Sequence, residues 1–131
     1  MFSNELWNNP GSSQVLTQKA IFGFGQNGGT RTGVTNLVSD SGVVASDTSA
    51  VGTARDTPAA AGYGEDKAIF GFGSTGTRTA ITNLVSNSGV VASDTSGVGT
   101  ARNDLAAAAF GGDKAIFGFG NDGSTTNLSN L

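Results

Sequence analysis

Apolar and polar positions along this chain fall into short blocks, and the blocks recur. The stretch Lys-Ala-Ile-Phe-Gly-Phe-Gly appears unchanged at Lys19–Gly25, Lys67–Gly73 and Lys114–Gly120, at spacings of 48 and 47 residues. Its alternation predicts a β-strand with Ala and both Phe on one face and Ile and the glycines on the other. Glycine on that second face would let a neighbouring layer approach closely.

The flanking blocks also predict strands. Ahead of the second and third copies lie Pro-Ala-Ala-Ala-Gly-Tyr-Gly (58–64) and Leu-Ala-Ala-Ala-Ala-Phe-Gly (105–111). Alanine favours helix, but these runs are too short for a stable helix and end in glycine, so they read as strands of small residues where backbones crowd. Glu65-Asp66 and Gly112-Asp113 then form tight turns. After each copy, a Gly/Ser/Thr turn carrying Arg31 or Arg78 leads into Gly33–Ser39 or Ala80–Ser86. Asp40-Ser41-Gly42 and Asn87-Ser88-Gly89 are three-residue hairpin turns with Gly at the position a bulge requires. They lead into Val43–Asp47 and Val90–Asp94, and a loop through Val51–Arg55 or Val98–Arg102 returns to the alanine block.

Four short strands per period of 47–48 residues is the arithmetic of a β-propeller blade. A β-helix coil would be shorter, and a parallel α/β array would need a helix in each repeat. The expected organisation is an N-terminal segment at 1–12, repeats at 13–57 and 58–104, and a partial repeat at 105–131. Glu5-Leu6-Trp7 reads either as an outer strand or as part of a tail, and Ser13–Gln18 fills the alanine-block slot of the first repeat.

The order of Arg, small-residue strand, turn, Lys-Ala-Ile-Phe-Gly-Phe-Gly strand and two outer strands resembles the kelch repeat over residues 13–131. Two departures stand out: the kelch glycine pair is split here as Gly-Phe-Gly, and the outer-strand Trp is missing from both full copies. The near-identical copies also resemble kelch-like arrays of bacteriophage virions. The resemblance implies an all-β propeller of four-stranded kelch-like blades. Its ring would be closed by homo-oligomerisation, with Trp7 and Leu128 in the blade completed between termini. Three blades per chain imply a six-bladed homodimer; if residues 1–11 are a tail, two chains would make five blades.

Composition narrows the chemistry. Glycine contributes 21 of 131 residues, hydrophobic residues 37%, and net charge is only −3, which suits an ordered, glycine-punctuated β protein rather than a disordered one. The seven Lys and Arg are dispersed, which argues against nucleic acid. No apolar run is long enough for membrane insertion, and the N-terminus lacks signal-peptide features. With neither Cys nor His, disulfides, thiolate sites and conventional triads are excluded.

Each remaining candidate has a structural explanation. Gly23–Gly28, Gly71–Gly76 and Gly118–Gly123 match GxGxxG, but no helix follows, so no dinucleotide fingerprint is formed. Arg55 and Arg102 recur in Gly-Thr-Ala-Arg and are expected between blades, bonding loop carbonyls and stacking on rings. Phe22, Phe24, Phe70, Phe72, Phe117 and Phe119 are expected at the same interfaces. Arg31 and Arg78, with Thr32 and Thr79, could grip an acidic sugar or phosphate, and Tyr63 could serve as a sugar platform. Asp47 and Asp94 read as turn caps rather than metal ligands. No cofactor or metal is implied.

Equivalent copies suit repeated binding or assembly better than a single asymmetric active site. The leading expectation is a non-enzymatic structural or adhesion propeller, homo-oligomeric and in contact with other virion proteins, placed on a virion or an extracellular surface. A multivalent lectin binding glycans in equivalent pockets is the alternative. An engineered or ancestral-like propeller fragment without a natural ligand is a third.

Overall fold

The computed structural model describes residues 20–131, and all regular structure among them is β. In chain order the strands are β1 (Ala20–Gly23), β2 (Gln26–Asn27), β3 (Thr30–Arg31), β4 (Thr35–Val38) and β5 (Ala59–Tyr63). They continue as β6 (Lys67–Gly71), β7 (Thr82–Val85), β8 (Ala106–Phe110), β9 (Lys114–Gly118) and β10 (Ser129–Asn130). The expected strands at Glu5–Trp7 and Ser13–Gln18 lie outside the described residues.

Each repeat builds its own antiparallel meander. β5, β6 and β7 pair in order, with Tyr63 opposite Lys67 and Ala68 opposite Val85. β8, β9 and β10 repeat the arrangement, and β1 with β4 repeats its second half. The alanine blocks are therefore strands. The turns between them use left-handed backbone at Gly64 and Glu65, and at Gly111 and Gly112.

The fourth segment of the first and second repeats is looser than the sequence predicts. Val44 and Thr48 bridge to Val38 and Thr35, and Val91 and Thr95 bridge to Val85 and Thr82. The outer segment carries one extra residue between the two bridges, which is a bulge. A side chain fills the gap: Asn83 Nδ2 donates to Ala92 O at 3.1 Å and to Asp94 Oδ1 at 2.8 Å. Asn36 does the same with Ala45 and Asp47. The turn before β4 also differs from expectation. In the first repeat Gly28 and Gly29, both with positive φ, make a true hairpin, so Arg31 lies in β3.

The apolar core sits between successive repeats. One cluster joins Phe70, Val85 and Val91 to Ile21 and Phe24 of the preceding repeat. The other joins Ala59 and Phe72 to Phe117 and Ala115 of the following one. β5 packs beside β8 and β9, and the turns at their ends are linked by Gly64 N donating to Gly112 O at 2.8 Å. Alanine side chains permit this approach of one backbone to another.

Candidate functional site

The strand predicted to place both phenylalanines on one face does not do so. It ends at Gly71, and Phe72 takes φ 62°, with Phe24 and Phe119 at 63° and 64°. Positive φ is costly for a bulky residue, about 1–3 kcal/mol. It breaks the alternation of sides. As a result Phe70 faces the preceding repeat and Phe72 the following one: the ring of Phe70 meets Phe24 at 5.1 Å, and that of Phe72 meets Phe117 at 5.4 Å.

Each pair is capped by a fully buried arginine from the linker between the repeats. The Arg55 guanidinium lies 4.0 Å from the Phe24 ring centroid, and that of Arg102 lies 4.8 Å from the Phe72 centroid. Arg102 Nη1 donates to Leu128 O at 2.7 Å, and its Nη2 donates to Asn130 Oδ1. Arg55 Nη1 donates to Thr53 O at 3.3 Å. The arginine backbones tie the same junctions: Gly25 N donates to Arg55 O at 2.8 Å, and Gly73 N to Arg102 O at 2.9 Å. Carbonyl bonds and ring stacking offset only part of the desolvation of these buried cations: among the described residues Arg55 Nε and Nη2 and Arg102 Nε have no hydrogen-bond partner.

Burial lowers the proton affinity of Arg55, and the nearby Asp94 charge partly restores it. Burial pushes the Asp94 carboxyl up, but hydrogen bonds from Thr53 and Asn83 and the charge of Arg55 outweigh it, leaving the carboxyl below its ordinary range. Thr53 N lies 3.1 Å from both Asp94 oxygens, and its hydroxyl also donates to Oδ2. Asp94 thus clamps the linker between repeats as well as its own turn.

Glycine forms the other half of each junction. A Cβ on Gly71 would fall 2.9 Å from the Phe117 ring, and one on Gly23 would fall 3.3 Å from Phe70 Cζ. The phenylalanine of one repeat therefore seats over the bare glycine of the repeat before it.

The residues read as ligand candidates do not form one site. Arg31 Nε makes an ion pair with Asp56 Oδ2 at 3.1 Å, at the end of its own repeat, whereas Arg78 Nη2 donates to Asn121 Oδ1 of the next repeat at 2.8 Å. The hydroxyls of Thr32 and Thr79 accept from Val34 N and Ile81 N in local turns. Tyr63 lies elsewhere, in an open cleft of about 410 Å³ between the second and third repeats. The cleft is mainly apolar, with Ile69, Phe72, Val98 and Phe117 in its lining and Asp113 and Lys114 beside them. Leu128 lies beside β10 and supplies a carbonyl to Arg102. Trp7 is outside the described residues; in sequence it stands as far before Lys19 as Arg55 stands before Lys67.

Among the described residues no group of His, Cys, Asp or Glu is arranged to hold a metal ion, and no helix is long and apolar enough to cross a membrane. No protein-family model and no curated protein matches this chain.

Proposed function

We propose that the chain is a non-enzymatic, self-assembling structural protein whose repeats are kelch-like propeller blades. One observation carries this reading: the same arginine–phenylalanine–phenylalanine stack over a bare glycine joins the repeats at both described junctions. The repeated residues with most conformational strain and most buried charge serve cohesion between units. The order of antiparallel segments and the side-by-side packing of the alanine strand β5 with β8 also support blades arranged around an axis.

The favoured assembly is a homodimer in which three blades from each chain complete a six-bladed ring. A virion or another extracellular surface is the setting that the phage-array resemblance implies. Electron microscopy of the purified protein tests the architecture. Class averages with six wedge-shaped units around an axis are expected; extended rods or isolated three-unit wedges would contradict it.

The Tyr63 cleft favours a second reading, a multivalent glycan binder. An aromatic ring beside a junction is a suitable sugar platform, and an oligomer carrying one Tyr63 cleft per chain would bind with avidity. Saturable glycan-array binding that Tyr63→Ala abolishes would favour it; silence across the array would favour the purely structural role.

A further inference from the structure

The two described junctions define a pattern that both ends of the described region leave half complete. At a junction, the first phenylalanine of one Lys-Ala-Ile-Phe-Gly-Phe-Gly copy seats over the glycine that follows its counterpart in the preceding copy. Phe70 fills the space over Gly23, and Phe117 fills the space over Gly71. Gly118 is the third such glycine, and among the described residues nothing lies within 4 Å of a Cβ built on it. Phe22 is the third such phenylalanine, and it is 67% exposed while Phe70 and Phe117 are 4% exposed. The partner position agrees: Phe119 is 64% exposed where its counterpart Phe72, covered by Phe117 and Arg102, is 2% exposed.

These are complementary halves of one interface, displayed on opposite sides of the array. We infer that a second copy of this chain docks head to tail, seating its Phe22 over Gly118 and against Phe119. The occupant is specified by the chain itself, because the phenylalanine-over-glycine part of the contact is already formed twice within it. Such a contact is heterologous, so it closes into a ring only if the rotation per unit permits and otherwise propagates. This inference rests on the self-assembly reading and specifies the surface that serves it.

Two substitutions test it without disturbing the fold. Phe22→Asp alters an exposed side chain. Gly118→Val fills open space at a glycine whose φ is not in the left-handed region. Native mass spectrometry of the full chain is expected to show an oligomer for the wild type and a monomer for each variant, with unchanged circular dichroism. An equimolar mixture of the variants is expected to give a one-to-one pair, because one intact Phe22 face and one intact Gly118 face remain. Oligomers of both variants equal to wild type would overturn the docking surface and leave self-assembly standing. A monomeric wild type would overturn both, leaving the faces to residues 1–19 of the same chain or to a different protein.

Discussion

Gly97 packs so closely on Ala80 that a methyl group at Gly97 would overlap the Ala80 carbonyl oxygen. The first repeat has the same contact with the sizes exchanged: Gly33 stands where Ala80 does, Ala50 where Gly97 does, and a Cβ on Gly33 would fall 2.8 Å from that of Ala50. The two repeats are nearly identical in sequence, yet they share one methyl group's worth of space in opposite ways.

Gly97→Ala is therefore expected to destabilise the protein by about 1–3 kcal/mol, the usual range for overpacking. Adding Ala80→Gly removes the Cβ overlap but leaves the carbonyl in place, so it should recover part of that loss. Denaturant titration of the single and double variants measures the coupling; strictly additive effects would show that the two positions do not share the space.

Arg102→Lys keeps the charge but removes the planar fork that reaches both Leu128 O and Asn130 while stacking on Phe72. A loss of about 2 kcal/mol is expected, the scale of a hydrogen bond to a charged group. Thermal melts should show Arg102→Lys well below wild type, and a melting temperature within a degree of wild type would refute the role.

The left-handed phenylalanines should respond unequally to glycine. Phe72→Gly relieves backbone strain but empties a buried ring site, for a net loss of about 3–5 kcal/mol. Phe119→Gly relieves the same strain at an exposed site, so the isolated chain should keep its stability. Measured on a Gly118→Val background, which holds the chain apart, the two variants should differ severalfold in denaturation free energy.

Acid should weaken the clamp at Asp94. Its carboxyl has a lower proton affinity when folded than when unfolded, so its contribution is present above the unfolded value of about 3.9. That contribution is lost as pH falls from there through the folded value. Melting temperature should drop on acidification below about pH 4, and Asp94→Asn should lower stability at neutral pH while flattening the drop. An unchanged acid slope in Asp94→Asn would assign the dependence to other carboxylates.

Much of the fold was legible because strand and turn chemistry is local. Repetition fixed the register, the alanine runs were too short for helices, and Gly42 and Gly89 marked hairpins that form with positive φ. The inter-repeat place of Arg55 and Arg102 followed from their recurrence just ahead of each alanine block. The opposed directions of Phe70 and Phe72 were not legible, because no side-chain pattern announces a left-handed phenylalanine. That conformation recurs at Phe24 and at Phe119, whose outer face is exposed, so it belongs to the turn inside each repeat, where the backbone N of each phenylalanine donates to the segment that follows, at Val34 O, Ile81 O and Leu128 O. The bulge opposite β7 was hidden for a similar reason: the asparagine that fills it looks like any polar strand residue until its partners Ala92 and Asp94 are in place. The Gly33–Ala50 and Ala80–Gly97 exchange is visible in the sequence but acquires meaning only when the pairs are seen in contact.

The phenylalanine-over-glycine contact that joins repeats within the chain is proposed to join one chain to another as well. Sedimentation equilibrium of the wild-type protein at micromolar concentration tests it most directly. A single species at twice the 13.0 kDa chain mass is predicted; a stable species at 13.0 kDa across the concentration range would contradict it.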